Sequence, residues 1–132
     1  MLKARTLTLQ IARPVEVIYA YLIEPANLAG WTMVENGRPR PEAGPLVWSF
    51  DGPRGTVMVH FTPANPFFVM DYTLHVGGQV THSAHVRLIP NGAGTVLTHT
   101  SVQQPKISDE AFASEEEWLL SDLLVLKSLM EA

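Results

Sequence analysis

The chain has 132 residues, of which 46% are hydrophobic and 17% charged, and its formal net charge is −4. This length and composition suit one core-forming domain and exclude a disordered chain. Because phosphate binding requires clustered Lys and Arg, the acidic balance and the lack of any basic run argue against nucleic acid or an anionic membrane surface as a partner.

The sequence contains no cysteine, so it has neither a disulfide framework nor a thiolate zinc site. Its first residues lack the apolar segment of a signal peptide. The longest apolar stretch, residues 119–126, is interrupted by polar residues and is too short to span a bilayer. We therefore expect a cytoplasmic protein without membrane insertion.

The first part of the chain predicts a strand followed by two short helices. Residues 6–11 alternate between apolar and polar, as in a half-buried strand. Pro14 suits the first position of a helix, which Pro25 then ends because the residue before a proline is disfavoured in helical geometry. Residues 26–29 predict one more helical turn, and residues 36–45, with three prolines and two glycines, predict a loop that is either a lid or a connector.

The middle of the chain predicts a series of hairpins. Turn residues separate five apolar segments, which cover residues 46–50, 56–61, 68–76, 79–89 and 95–102. Consecutive hairpins imply an antiparallel meander, because parallel strands would need long crossover segments.

Residues 108–131 change to a helical period, with an apolar stripe formed by Phe112, Leu119, Leu123, Leu126 and Met130. Acidic residues crowd the first turns, where the helix dipole favours negative charge. Ser114 with Glu117 matches a capping box, so a regular helix beginning only at Ser114 is an open alternative. The whole pattern predicts a single α+β domain over residues 1–132.

This order of elements resembles the START-like (SRPBCC, helix-grip) superfamily of polyketide cyclases/dehydrases, pollen-allergen-like proteins and lipid-transfer domains. The segments that carry the resemblance are residues 11–19, 24–28 leading to Trp31, 91–98 and 126–131. The resemblance implies a curved antiparallel sheet of six to seven strands wrapped around the long C-terminal helix. It also implies an apolar cavity between sheet and helix, which in the superfamily binds lipids, sterols or polyphenols or hosts polyketide cyclisation.

Strand parity assigns four of the five histidines to a face of the sheet. His82 shares the inward face of its strand, and His99 shares the inward face if Leu97 does; the opposite phase would place His99 in solvent. A two-residue turn at Asn91-Gly92 would set Ala84 opposite His99 and make the two imidazoles diagonal neighbours. His60 and His85 are predicted to face outward. Because His82 and His85 are three residues apart on a strand, they cannot share a metal ion, and no metal site is predicted.

Two inward imidazoles suit acid–base chemistry near neutral pH, so the candidate catalytic residues are His82 and His99 with support from Glu116, beside Glu115, on the helix. The same imidazoles could instead anchor a ligand, or only hydrogen-bond within the core. The predicted ligand-binding residues are Trp31, Trp48, Tyr72, His82, His99, Leu119 and Leu123. The aromatic members would offer flat walls to a ring-containing ligand.

The register near Asp71 has two solutions. Asp71 faces solvent if Tyr72 faces inward, which requires a bulge near Gly77-Gly78. A tight turn there would instead bring Asp71 to the inner face, opposite Ala84.

Three functions fit these features. The leading hypothesis is binding of a small, mostly apolar molecule between sheet and helix. The alternatives are a cyclase/dehydratase-type enzyme on a polyketide-like substrate, without metal or nucleotide cofactor, and a co-chaperone-like protein-binding module. No cofactor is predicted, because the glycine-rich turns lack the Lys-Ser/Thr of a phosphate loop. A homodimer through sheet edges or the outer sheet face is compatible with the sequence.

Overall fold

The computed structural model describes residues 1–132 and shows one antiparallel sheet packed against helices. The elements in chain order are β1 (Ala4–Ile11), α1 (Val15–Leu22), a 3-10 turn (Pro25–Asn27), α2 (Leu28–Trp31), β2 (Glu35–Pro39), β3 (Val47–Gly52), β4 (Gly55–Phe61), β5 (Val69–Val76), β6 (Gln79–Asn91), β7 (Gly94–Val102) and α3 (Asp109–Glu131). The seven strands lie in the order β1-β7-β6-β5-β4-β3-β2. The predicted fold class is confirmed.

The first and last strands of the chain are neighbours in the sheet, since β1 pairs antiparallel with β7. In this pairing Leu9 lies opposite Leu97 and Leu7 opposite His99, which brings the alternating apolar face of β1 onto the inner face of β7. The residues of β7 alternate between buried and partly exposed, with Leu97 and His99 on the buried face. The predicted alternation of β7 that places Leu97 and His99 on the inner face is therefore confirmed.

The hairpin between β6 and β7 differs from the prediction by two residues. Asn91 pairs with Gly94, so the turn is Gly92-Ala93, and Val86 rather than Ala84 lies opposite His99. Gly92 adopts a φ of 58°, which a residue with a side chain rarely adopts and which favours this placement of the turn. Because the error is an even number of residues, it leaves His82 and His99 on their predicted inward face.

The hairpin between β5 and β6 contains the predicted bulge. His75 pairs with Val80 but Leu74 pairs with His82, so the register shifts by one residue after the glycine turn. As a result Tyr72 is buried and Asp71 lies opposite His85 on the outer face. There Asp71 accepts a hydrogen bond from Arg87 at 2.5 Å. The solvated placement of Asp71 is confirmed.

The prediction of a loop over residues 36–45 is wrong for its first part. Glu35–Pro39 forms strand β2, which pairs irregularly with β3. This strand lies at the edge of the sheet, where only one side needs ladder hydrogen bonds, so Pro39 is tolerated. Residues 40–44 then turn back toward β3.

Helix α3 begins at Asp109, because the Ser108 side chain accepts a hydrogen bond from the backbone N–H of Ala111 at 3.1 Å. The alternative start at Ser114 is therefore wrong. The predicted stripe of α3 is buried, together with residues from α1, α2 and the inner face of the sheet. None of the helices has both the length and the hydropathy needed to cross a bilayer.

Candidate functional site

His82 and His99 lie together on the inner face of the sheet, on β6 and β7. Their rings are stacked, with centroids 5.9 Å apart and planes inclined by 26°. Only 5% of His82 and 1% of His99 is exposed, so both face inward as predicted. His60, in contrast, is exposed, and His85 lies 3.3 Å from the Asp71 carboxylate on the outer face.

A carboxylate from α3 reaches one of these imidazoles. Glu115, not Glu116, contacts Nδ1 of His82, and its other oxygen lies 3.0 Å from the guanidinium of Arg5. Glu116 is exposed. The difference follows from helix geometry, because Glu115 lies three residues after Phe112 and four before Leu119 and so sits beside the buried stripe.

Arg5 is a member of this site that the sequence interpretation missed. Its guanidinium donates to the backbone carbonyl of Phe112 and lies 4.0 Å from the centroid of the Phe112 ring. Arg5 also lies opposite Ser101 in the β1–β7 pairing, and Ser101 is fully buried. The strand alternation contained the signal, since Arg5 has the same parity as Leu7 and Leu9.

These five residues form what we call the polar cluster: Arg5, His82, His99, Ser101 and Glu115. Several of its buried atoms have no hydrogen-bond partner within the protein, namely Nε of Arg5, Nε2 of His82, both ring nitrogens of His99 and Oγ of Ser101. A buried polar group without a partner costs about 1–3 kcal/mol. Such groups are rare in folded proteins, and several in one place mark a site with unused hydrogen-bonding capacity.

Burial and neighbouring charges together set the protonation states of His99 and Glu115. It lowers the pKa of His99 to about 4, with the neighbouring His82 acting in the same direction, so His99 is neutral at pH 7. Burial alone would raise the pKa of Glu115, but the hydrogen bond and charge of His82, together with Arg5, lower it overall. Glu115 is therefore ionised.

Two further titratable groups face the cluster. Burial raises the pKa of Asp122 on α3 to about 6, although the charge of His82 opposes the shift. Burial, followed by the charges of Asp122 and Glu115, raises the pKa of Tyr72, which therefore stays a neutral phenol. The site thus combines one guanidinium, two carboxylates, two imidazoles, a phenol and a hydroxyl.

A row of aromatic rings leads across the inner face of the sheet to the polar cluster. Successive ring centroids are 6.1 to 6.4 Å apart along the series Trp48, Phe50, Phe61, Tyr72 and His82. Trp48 and Tyr72 thus lie in one row with the histidines. Trp31, Leu119 and Leu123 are buried, and Trp31 and Leu123 belong to the core cluster.

Two open pockets lie elsewhere. One, of about 400 Å³, lies along the C-terminal part of α3 and is lined by Leu124, Val125, Ser128, Leu129 and Ala132. The other, of about 360 Å³, lies where the end of β1 and the turn between β6 and β7 meet the C-terminal end of α3, near Gln10, Asn91 and Glu131. Neither is lined by a residue of the polar cluster. No group of three or more His, Asp or Glu side chains is arranged to hold a metal ion.

No protein-family model and no curated protein matches the sequence. Solved structures do match in fold. The structure of Ara h 8.0201 aligns with a TM-score of 0.74 at 12% identity, covering 98% of both chains. The Aha1 dimer from Colwellia psychrerythraea aligns with a TM-score of 0.74 at 17% identity, covering 98% of this chain and 97% of that one.

CalU16 from Micromonospora echinospora is also similar, with a TM-score of 0.70 at 14% identity, covering 97% of this chain and 74% of that one. Identities this low establish the fold and leave the function to be argued from the site. The antiparallel sheet, the long C-terminal helix and these neighbours together show that the chain has the START-like, SRPBCC-type helix-grip fold.

Proposed function

We propose that the protein binds a small, mostly apolar, ring-containing molecule between the inner face of the sheet and α3. The observation that carries the proposal is the pair of buried imidazoles, His82 and His99, whose ring nitrogens include three without a partner. Ligand sites place a few convergent polar groups among apolar walls. Here the row of rings from Trp48 to Tyr72 supplies the walls, and the histidines supply the polar anchors.

In this proposal the ligand enters as the first half of α3 moves away from the sheet, because neither of the two pockets described above is lined by a residue of the polar cluster. Phe112 is the only buried residue of α3 before Leu119. Its other anchors there are polar: Arg5 and His82 contact the Phe112 carbonyl and the Glu115 carboxylate, and Lys3 and Gln103 contact the Asp109 carboxylate. Few apolar contacts hold this half, so it can open at a lower free energy than the rest of the helix.

A thermal-shift screen against fatty acids, sterols, flavonoids and aromatic polyketides tests the binding function. A ligand at one hundred times its Kd adds about 2.7 kcal/mol to the free energy of unfolding, or roughly 10 °C in Tm for a chain of this size. We expect one class to give such a shift. If no class raises the Tm, the binding function is contradicted.

The anchoring role has its own test. We expect the double variant His82→Ala/His99→Ala to bind the ligand from this screen about tenfold or more weakly by calorimetry, because two hydrogen-bonding partners are lost. The matched control is His60→Ala/His85→Ala, which removes two imidazoles from the outer face and should leave the Kd unchanged. Equal affinity of both double variants and the parent chain would refute the anchoring role.

A second candidate is a cyclase/dehydratase-type enzyme, which the contact between Glu115 and Nδ1 of His82 favours. A carboxylate on one ring nitrogen orients the imidazole and leaves Nε2 as a base. Nε2 would take a proton from a carbon beside a carbonyl; the enolate would attack a second carbonyl, and the resulting alkoxide would take the proton back. Glu115 would be a positioning residue here.

The enzyme hypothesis predicts turnover that rises with pH between about 5 and 8, because an imidazole base must be unprotonated. Glu115→Gln should lower kcat with little change in KM, whereas Glu116→Gln, on the exposed neighbour, should change neither. A rate that does not vary with pH in this range would rule out an imidazole base.

A further inference from the structure

From the unpaired atoms of the polar cluster and the carboxylates beside them, we infer that the ligand presents an un-ionised hydroxyl group, and not a carboxylate, to His82, His99 and Ser101. This inference rests on the proposed binding function and specifies the chemistry of the ligand. It is carried by the donors and acceptors left free in the cluster and by the charges that surround them.

The free atoms call for a group that both accepts and donates hydrogen bonds. Nε of Arg5 can only donate, so the ligand must offer an acceptor. His99, which is neutral at pH 7, has one N–H donor and one bare nitrogen acceptor, and both are unpaired. A hydroxyl accepts from the donors and donates to the bare nitrogen, whereas an ether or carbonyl can only accept and an ammonium can only donate.

The charges of the cluster disfavour an anion. The guanidinium of Arg5 is already shared between the Glu115 carboxylate, at 3.0 Å, and the Phe112 carbonyl. The other carboxylate of α3 that faces the site, Asp122, adds negative charge at neutral pH. Because Arg5 and His82 both already contact the Glu115 carboxylate, a ligand carboxylate would be buried beside two carboxylates with no cation left to pair with it, and its binding is disfavoured.

The groups on the other elements agree with this. Tyr72 on β5 is a neutral phenol, and Ser101 on β7 is a fully buried hydroxyl without a partner. The ring of Tyr72 lies 6.3 Å from that of His82, so a ring attached to the hydroxyl would continue the row of aromatic rings. The site therefore fits a hydroxylated ring with an apolar body.

Three probes of matched shape test the inference at pH 7: 2-naphthol, 2-naphthoate and naphthalene, each titrated into the full chain by calorimetry. We expect 2-naphthol to bind about tenfold or more tightly than either of the others. Naphthalene lacks the hydrogen bonds, and naphthoate adds a buried anion. This comparison uses the unaltered chain, so it does not depend on any variant that might fail to fold.

The variant His99→Leu then tests the position of the hydroxyl. It should lose the preference for naphthol over naphthalene, while His85→Leu on the outer face should keep it. Tighter or equal binding of naphthoate, or equal binding of naphthalene and naphthol, would overturn the inference and leave the binding function standing. Binding of none of the three would also overturn the inference, while the thermal-shift screen decides the binding function separately.

Discussion

At the residue scale, the candidate site illustrates what strand alternation can and cannot predict. Alternation on β6 and β7 correctly placed His82 and His99 inward, because a core face fixes the parity of a strand. The same rule applied to β1 would have placed Arg5 beside them, since it shares the parity of Leu7. The choice between Glu115 and Glu116 needed the angular position of α3 on the sheet, which no local pattern contains.

The buried imidazole of His99 predicts a pH dependence of stability. Its pKa falls from 6.5 to about 4 on folding, so the unfolded chain binds the proton more tightly. The titration of His99 therefore leaves the free energy of unfolding unchanged above pH 6.5. As the pH falls from 6.5 to below 4, it lowers that free energy by about 3 kcal/mol in all. The pKa of Asp122 is raised on folding from 3.8 to about 6, so the folded chain binds this proton more tightly. Its titration therefore increases the free energy of unfolding as the pH falls from 6 to 3.8.

We expect His99→Leu to remove most of the loss in the free energy of unfolding between pH 6.5 and 4, as measured by urea denaturation at several pH values. At pH 7 it should change stability by less than about 1.5 kcal/mol, because the imidazole makes no hydrogen bond that leucine would break. His85→Leu is the matched control and should keep the parent pH profile. An unchanged profile in His99→Leu would contradict a depressed pKa at this residue.

At the scale of elements, helices and most strands were predictable because their signals are local. The stripe of α3, the glycine turn before β6 and its compensating bulge all follow from patterns a few residues long. Strand β2 was missed because prolines argue against a strand, and only its edge position makes Pro39 acceptable. The start of α3 was ambiguous because Ser108 and Ser114 both suit an N-cap.

The two ends of α3 are held by two arginines, which allows a matched test of its mobility. Arg5 donates to the Phe112 carbonyl near one end, and Arg13 donates to the Met130 carbonyl at the other, at 2.7 Å. We expect Arg5→Met to speed amide hydrogen exchange roughly tenfold over residues 109–118, because one charged hydrogen bond and one ion pair are lost there. Arg13→Met should instead affect only the C-terminal end.

Exchange over residues 109–118 that is unchanged in Arg5→Met would show that the polar cluster does not hold this half of the helix. Both variants keep a long apolar stem in place of the arginine side chain, so packing against Phe112 changes little. A difference between them therefore reports the polar contacts.

At the scale of the whole molecule, the pairing of the first strand with the last assembles the site. The β1–β7 pairing joins residues about 90 positions apart, such as Leu9 and Leu97, and brings Arg5 against Ser101. No short-range pattern specifies such a pairing; only the resemblance to a known fold implied a wrapped sheet. The polar cluster draws on β1, β6, β7 and α3, so it exists only in the complete fold.

The position of the ligand within this fold can be tested against the open pocket on α3, which is the main competing site. In the NMR spectrum of the chain titrated with 2-naphthol, we expect the ring signals of Tyr72 to shift, because the Tyr72 ring centroid lies 6.3 Å from that of His82. The methyl signals of Leu129, which lines the outer pocket and is 43% exposed, should stay in place. The reverse result would place the ligand on the outer surface of α3 and would leave the unpaired atoms of His82 and His99 without a role in binding.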